Sequence, residues 1–187
     1  MSDVTSEQER LSVLFDTHEA RLYRLARRLT ASPEEAEDLL QDTFLKTAQA
    51  LGSVPVGHSS EEAWLTRVLV NTRRDQWRRH GVRRRAAPLL QPTATRGSQE
   101  SALIAKDAVW SALDSLTPRR RAIVVLAELD GLPPAAIASL LGVAVMTVRW
   151  HLSLGRRELR RLLAPHMGET PDEDPAPPPA RRRSVPL

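Results

Sequence analysis

The sequence predicts an all-α protein made of two small helical domains that a flexible linker joins. Leu, Ala and Val fill most apolar positions and aromatic residues make up only 4% of the chain, a composition that favours helices over β-sheets. Apolar residues also recur at alternating steps of three and four, the spacing of an amphipathic helix. Where that spacing is lost, the chain divides into a first domain at residues 7–80, a flexible basic linker at residues 81–100, a four-helix domain at residues 101–163 and a disordered tail at residues 164–187.

Composition excludes several classes of protein. The chain has no cysteine, which removes disulfides, thiolate zinc sites and cysteine nucleophiles. No apolar run approaches the roughly 20 residues that cross a bilayer, and the polar start lacks the apolar core of a signal peptide, so we expect a cytoplasmic protein without membrane insertion. The five histidines are scattered, and no phosphate-binding loop or paired-carboxylate motif stands out. We therefore predict no enzyme activity, no catalytic or metal-binding residue and no cofactor.

Charge is distributed unevenly along the chain. The formal charge is +4 and the isoelectric point is near 10.5. Acidic residues gather before residue 60, whereas arginines gather at residues 67–85, 119–121 and 156–161. This asymmetry indicates one protein partner and one nucleic-acid partner, although arginine runs are also typical of surfaces that are merely solvated. Charge alone leaves both interpretations open.

Two amphipathic helices begin the first domain. The first spans residues 7–30. A capping signal starts the second, because Ser32 can cap, Pro33 suits the first helical position and Glu35 completes a capping box. The second helix should end at about residue 51 and expose an acidic edge. The predicted apolar positions are Leu11, Phe15, His18, Leu22, Leu25 and Leu29 in the first helix, and Ala36, Leu39, Leu40, Thr43, Phe44 and Thr47 in the second.

A loop and a third helix complete the first domain. Residues 52–60 are rich in Gly, Ser and Pro, a loop signature. The third helix follows at residues 61–80, and arginines cover much of its surface. Trp64 lies beside the apolar stripe, so we interpret it as a core residue rather than one that stacks on bases. The predicted stripe is Leu65, Val68, Leu69, Thr72 and Gln76.

The second domain contains four predicted helices. Thr117-Pro118 caps the second of them, which Gly131 should terminate, and Pro133-Pro134 begins a short helix that ends near residue 141. The predicted apolar positions are Leu103, Ala105, Val109, Ala112, Leu113 and Leu116 in the first helix, and Val148, Leu152, Gly155, Leu159 and Leu162 in the last.

The last two helices have the spacing of a helix-turn-helix. Ala138 allows close helix approach, Gly142 permits a left-handed turn, and Val148 anchors the following helix to the core. The exposed face of that helix could then enter a major groove. An ordinary helical hairpin with solvated arginines has the same spacing, so the motif alone leaves both alternatives open.

Two sets of family motifs occur in order along the chain. The first set is LYRLARRL at residues 22–29, PEEAEDLLQD at residues 33–42, Phe44, Trp64-Leu65, Asn71, Asp75 and Arg78-Arg79. The second set is LDSLTPRRR at residues 113–121, Gly131-Leu132, Ile137-Ala138, LGV at residues 141–143, TVR at residues 147–149 and RRELRRLL at residues 156–163. From about residue 14 to residue 163, the chain resembles the extracytoplasmic-function (ECF) group of bacterial sigma factors, within the RNA polymerase sigma factor family.

The resemblance implies a protein that binds core RNA polymerase and directs promoter-specific initiation. The loop at residues 52–60 and the third helix would open the DNA and capture a single-stranded base of the minus-ten element, and the helix-turn-helix would read the minus-thirty-five element. The implied partners are the beta-prime clamp and beta flap of core polymerase, promoter DNA and an inhibitory anti-sigma factor. The implied clamp contacts are Asp38, Gln41 and Asp42; the minus-ten contacts are Asn71, Arg73, Arg74 and Arg78; the minus-thirty-five contacts are Thr147, Arg149, Trp150, His151, Ser153 and Arg156, with Arg119 and Arg120 on phosphate.

The chain departs from the family pattern at four positions. Glu61 stands where the family usually has an aromatic residue, Ala48 where it often has Trp, and His151 and Leu154 where basic residues are common. These departures concern the promoter sequence and the strength of upstream contacts. Two other functions stay open on the residues alone: a free-standing helix-turn-helix regulator, which leaves the first domain without a task, and a helical adaptor that binds only protein.

Overall fold

A computed structural model describes the backbone of residues 2–86 and 101–167 and the side chains of residues 6–79 and 108–165. Its described part contains seven α-helices, one short 3₁₀ turn and no strand, which confirms the predicted all-α fold. The first domain contains α1 (Ser2–Leu29), α2 (Pro33–Gln49), the 3₁₀ turn (Leu51–Ser53) and α3 (His58–Ala86). The second contains α4 (Ser101–Ser115), α5 (Pro118–Glu128), α6 (Pro134–Leu141) and α7 (Val145–Met167).

The start of α2 has the predicted cap. Ser32 is the N-cap, Pro33 is the first helical residue, and Ser32 Oγ accepts a hydrogen bond from the Glu35 backbone N–H at 3.2 Å. Glu35 Oε2 in turn accepts from the Ala31 N–H at 3.4 Å, one residue earlier than a capping box requires. The predicted buried set of α2 is confirmed in full. In α1 the prediction is wrong for Phe15, which is 41% exposed although its ring lies 4.9 Å from that of Phe44.

The third helix is longer than the sequence predicts. It begins at His58 instead of residue 61, because residues 58–60 form a helical first turn in which the Glu61 N–H donates to Gly57 O at 2.9 Å. It also continues past residue 80 to Ala86. Thr66 and Val70 are buried outside the predicted stripe. Their burial agrees with the packing of α3 against α5 and α6 of the second domain.

The second domain has the predicted helix order. Pro118 is the first residue of α5, but the Thr117 side chain makes no capping hydrogen bond. After α5, Gly131 adopts a φ of 67° and the Leu132 N–H donates back to Leu126 O at 3.0 Å, as a glycine stop requires. The prediction is wrong for Val109, which is 43% exposed.

Parts of the predicted organisation lie outside the described residues. These are residues 87–100, which make up most of the predicted linker, and residues 168–187, which make up most of the predicted tail. The side chains of Leu103 and Ala105 also lie outside the described part of the chain. The linker and the tail therefore stay predictions. No single helix of the described ranges is long and apolar enough to cross a membrane. Helices α6 and α7 reach that length and apolar content only when they are taken together, and the chain bends by 113° between them.

The two domains share one core, and a buried arginine connects them. Buried residues of α1–α3 and of α4–α7 belong to one continuous apolar cluster. Arg121 of α5 donates from Nε to Arg28 O at 2.7 Å and from Nη2 to Thr30 O at 2.9 Å, and it pairs with Asp114. The C-terminal carbonyls of α1, which have no partner within the helix, thus bind a side chain of the second domain.

Two further arginines cross the domain interface. Arg28 Nη1 lies 2.6 Å from Asp130 Oδ1, which joins the end of α1 to the turn after α5. Arg67 of α3 donates to the carbonyls of Leu140 and, at 2.9 Å, of Ser139, which end α6. Arg121 and Arg28 thus connect the end of α1 to α5 and the turn after it, and Arg67 connects α3 to the first helix of the helix-turn-helix.

Candidate nucleic-acid interface

The turn between α6 and α7 has the backbone of a helix-turn-helix. Gly142 caps α6 with φ 64° and ψ 44°, in the left-handed region, and the Val143 N–H donates to Ala138 O at 3.0 Å. Ala138 and Val148 are buried. These are the three roles predicted for the Ala-Gly-Val spacing, because a left-handed residue is needed where the chain reverses and small and branched residues are needed where the helices touch.

The outer face of α7 is free of the protein core. Val148 and Leu152 point inward and are buried, whereas Arg149 and Ser153 are exposed and Trp150 is 58% exposed. Within the described residues Arg149 has no ion pair. Thr147 and His151 are half-buried at the edge of this face. The face therefore presents a guanidinium, an indole and a hydroxyl that are available to an external partner.

His151 is held in its neutral form. Its Nδ1 is buried and has no hydrogen-bond partner among the described residues, and its ring meets that of Trp150 edge-on at 4.8 Å. Burial lowers the pKa of His151, and the positive charges of Arg119 and Arg120 lower it further. The imidazole is consequently uncharged at neutral pH and is unsuited to serve as a cationic phosphate contact.

Two of the predicted DNA-binding arginines are engaged in ion pairs inside the second domain. Arg120 pairs with Glu158 of α7, and Arg156 lies 2.7 Å from Glu128 of α5. The Arg120 chain also packs on Gly155, where α7 comes close to α5. Arg119 is half-buried and makes no ion pair in the described ranges. Of the arginines expected on phosphate, Arg119 is therefore the more accessible.

The predicted minus-ten residues of α3 fall into two groups. Asn71 is half-buried without a hydrogen-bond partner in the described part, and Arg78 is exposed. Arg73 instead donates to Leu29 O and to Glu35 Oε2, both at 3.1 Å, so it holds α1, α2 and α3 together. Arg74 lies 3.5 Å from the neighbouring Asp75.

A short segment before α3 is fixed at both ends. Its first residue, Val54, is buried in a small cluster with Leu14 and Leu51, and Val54 O accepts from Arg10 Nη2 at 2.7 Å. Its last residue, Gly57, has a φ of 110°. Between them Val56 is 88% exposed. The predicted loop at residues 52–60 is thus reduced to residues 54–57, with an apolar side chain at its tip.

The predicted polymerase-binding edge borders an apolar groove. Asp38 and Gln41 are exposed, whereas Asp42 is half-buried and its Oδ2 accepts from Gln76 Nε2 of α3 at 2.9 Å. Gln41 lines a groove of about 720 Å³ between α1 and α2. The other lining residues are Leu11, Phe15, Glu19, Tyr23, Glu37, Leu40, Phe44, Leu45 and Ala48.

The interdomain arginines were not singled out from the sequence. The sequence pattern places Arg121 and Arg67 in basic runs and Arg28 in the motif at residues 22–29, and it indicates no partner for any of them in the other domain. For Arg121 a signal was present: it lies three and four residues before the apolar Val124 and Val125, which puts it on the inward side of α5. An arginine at such a position must find carbonyls or a carboxylate if it is buried.

Two family models match the chain. Sigma-70 region 2 matches residues 14–83 and Sigma-70, region 4 matches residues 106–159. Both domains therefore have a counterpart in one family, whereas a free-standing helix-turn-helix regulator or an adaptor would not account for both.

Relatives and solved structures agree with these matches. The chain is 36% identical to the ECF RNA polymerase sigma factor SigE of Mycolicibacterium smegmatis, over 90% of this chain and 68% of the relative, and 35% identical to SigM of Mycobacterium tuberculosis, over 86% and 80%. The sigma factor RpoE of Bartonella quintana, solved with the anti-sigma factor NepR, superposes with a TM-score of 0.61 at 28% identity, covering 87% of this chain and 98% of that one. CnrH, solved with the cytosolic domain of CnrY, has the same fold with a TM-score of 0.56 at 24% identity over 84% and 90%. The chain belongs to the ECF group of RNA polymerase sigma factors, which bind core RNA polymerase and promoter DNA to initiate transcription.

Proposed function

We propose that the first domain docks on the polymerase clamp through α1 and α2, that α3 and the segment at residues 54–57 engage the minus-ten element, and that α7 reads the minus-thirty-five element. The observation that carries this division is the outer face of α7, where Arg149, Trp150 and Ser153 are exposed above buried Val148 and Leu152. An exposed guanidinium in the first turns of the second helix is what base recognition in the major groove needs.

The surface of α1 and α2 suits a protein partner. An apolar groove with acidic and amide residues at its rim can bury apolar area at its centre and form polar contacts around it. Gln41 lines the groove, and Asp38 is exposed one turn earlier on the same helix. Neither has an intramolecular partner in the described residues, whereas Asp42 already binds Gln76. We therefore assign the direct clamp contacts to Asp38 and Gln41, and to Asp42 the orientation of α2 on α3.

Loss of the rim contacts should weaken polymerase binding. We expect the double variant Asp38→Ala/Gln41→Ala to lower the affinity of the full chain for core polymerase by about tenfold or more, because polar anchors beside an apolar patch carry much of the binding energy. The matched control is Asp16→Ala/Gln49→Ala, which makes the same change in charge and size at two exposed positions, one in α1 and one in α2, that do not line the groove. Fluorescence titration with core polymerase measures both. Equal affinities for the two double variants would contradict the assignment.

Base reading by α7 predicts a change of sequence preference. If Arg149 makes a bidentate contact to guanine, Arg149→Ala should cost about 1–3 kcal/mol of binding and relax the preference at one upstream position. Arg119→Ala should weaken binding to all upstream sequences alike. It should also reduce the slope of log affinity against log salt concentration by about one unit, as expected of a phosphate contact. Transcription by holoenzyme from promoters with a randomised upstream element distinguishes the two, with exposed Arg161→Ala as the control. An unchanged preference in Arg149→Ala would reject α7 as the reader.

The setting of this activity follows from the family. Sigma factors are initiation factors and not enzymes, and we place the chain in the cytoplasm because its polymerase and DNA partners are there. We further propose that an anti-sigma factor holds it inactive, which the likeness to a sigma factor solved with NepR supports. Run-off transcription with core polymerase on a genomic library tests the proposed function as a whole: absence of specific transcripts would reject it.

A further inference from the structure

The side chain of Glu61 joins three parts of the first domain. Its Oε2 lies 3.2 Å from Nε2 of His18 in α1, and its Oε1 accepts from the Gly57 N–H at 3.3 Å. A carboxylate can only accept, so His18 Nε2 carries the proton of the first bond. His18 is 1% exposed. One carboxylate thus connects a buried side chain of α1 to the backbone at the end of the segment at residues 54–57.

Two other contacts strengthen this connection. The His58 ring, in the first residue of α3, stacks on the His18 ring with centroids 4.9 Å apart. The Glu61 N–H donates to Gly57 O at 2.9 Å, so Gly57 is bonded through both of its backbone polar groups to the same residue. The bond from His18 also holds the pKa of Glu61 below its usual range, which keeps the carboxylate ionised and able to accept both bonds.

The segment that Glu61 fixes is short and has little freedom. Arg10 and the burial of Val54 fix its start from α1. Glu61 fixes its end, where Gly57 has a φ of 110° that residues with a side chain rarely adopt. Only Pro55 and Val56 lie between these anchors. The backbone on both sides of the exposed Val56 is therefore anchored, by Arg10 of α1 at the start and by Glu61 of α3 at the end.

We propose that Glu61, oriented by His18, is a positioning residue that sets the base preference of this segment for the minus-ten strand. The proposal rests on the proposed function, in which residues 54–57 meet an unstacked nucleobase. An apolar tip discriminates between bases through shape and contact, and its discrimination depends on where it is held. Glu61 itself does not touch DNA and acts through the backbone of Gly57.

The test compares variants of Glu61 with a neighbour of similar exposure. Glu61→Ala removes both bonds, whereas Glu61→Gln keeps an oxygen for the Gly57 N–H and an NH2 group that donates to His18 Nε2 in the other tautomer of the imidazole. Glu62→Ala is the matched control, because Glu62 pairs with Arg21 of α1 at 2.6 Å and with His58 and has no bond to the segment. Gly57→Ala is a second route to the same change: there is space for a methyl group at this position, and only the backbone angle opposes it.

Holoenzyme containing each full-length variant transcribes a promoter library randomised in the minus-ten element. We expect Glu61→Ala and Gly57→Ala to reorder the preferred bases at one position and to reduce discrimination there by about tenfold, and Glu61→Gln and Glu62→Ala to keep the parent order. In the free chain, hydrogen exchange at the Gly57 N–H should accelerate in Glu61→Ala. It should stay at the parent rate in Glu61→Gln and Glu62→Ala.

Three results would overturn the proposal. Glu61→Ala could keep the parent base order, or it could lower transcription equally for all minus-ten sequences, as a purely structural residue would. In both cases the parent is active and the proposed function stands. If the parent holoenzyme gives no promoter-specific transcripts, the proposed function and the reading role of the segment fail together.

Discussion

Replacing Arg121 with methionine should separate the two domains and destabilise the chain. The guanidinium binds Arg28 O at the end of α1 and Thr30 O just after it, and pairs with Asp114, and methionine fills similar volume without any donor. We expect the free energy of unfolding to fall by about 3 kcal/mol, since hydrogen bonds from a charged donor contribute about 1.5–3 kcal/mol each and water satisfies part of what is lost. Chemical denaturation of the full chain measures this loss.

The same substitution should change the shape of the chain. Because Arg121 lies in the shared interface, its loss should increase the radius of gyration in small-angle scattering. The control is Arg156→Met, which breaks an exposed pair with Glu128 inside the second domain and should cost about 1 kcal/mol or less. If Arg121→Met matches Arg156→Met in both stability and radius, Arg121 does not hold the domains together.

A lysine at position 121 should not restore the stability that Arg121 provides. Burial lowers the pKa of Arg121 and the charge of Asp114 opposes that effect, so the site tolerates a cation only while its partners stay in place. An ammonium is a compact point charge, whereas the planar guanidinium donates in several directions to two carbonyls and a carboxylate together. Arg121→Lys should therefore recover only a small part of the lost stability.

The elements that sequence predicts well depend on residues close together in the chain. Ser32, Pro33 and Glu35 cap α2 within one turn, and Gly142 reverses the chain between α6 and α7, so each signal acts locally and needs no knowledge of the other domain. The buried stripe of α2 follows for the same reason, because helical period alone assigns its faces.

The interface contacts could not be predicted in that way. Arg121 binds carbonyls more than 90 positions earlier in the chain, and Arg67 binds α6 more than 70 positions later. The helical period of the sequence shows which face of a helix a residue occupies. The residue that it contacts there depends on how whole helices pack against one another. Thr66 and Val70 are buried outside the predicted stripe of α3, and α3 also packs against α5 and α6 of the second domain, which the period of α3 alone does not indicate.

The same limit applies to the candidate site. Arg149 and Arg120 look alike in sequence, as arginines close to the start of their helices, yet Arg149 is exposed and Arg120 pairs with Glu158. The pairing glutamate lies on another helix, so its effect is invisible to a local pattern. Exposure and ion pairing narrow the predicted set of DNA contacts, and the binding experiments above decide among those that remain.

Helices α5 and α7 come close together at Gly155 of α7. A Cβ atom added there would lie 2.5 Å from Val124 Cγ2 and 3.1 Å from Arg120 Cγ of α5. Val124 is buried and branched and cannot move aside as a flexible side chain could. We expect Gly155→Leu to lower the free energy of unfolding by about 3 kcal/mol through overpacking, whereas Ser153→Ala, on the exposed face of the same helix, should change it by about 0.5 kcal/mol or less.

A double-mutant cycle tests whether this contact is the cause. Gly155→Ala gains about 1 kcal/mol of helix propensity but meets Val124, so we expect a net loss of about 1 kcal/mol. Val124→Ala alone should cost about 2 kcal/mol by leaving a cavity. In the double variant the new methyl group occupies that space, so the two losses should not add, and the double variant should be at least as stable as Val124→Ala. If thermal and chemical denaturation show that the two losses of unfolding free energy add, then the close approach of α7 to α5 is not the reason that position 155 requires glycine.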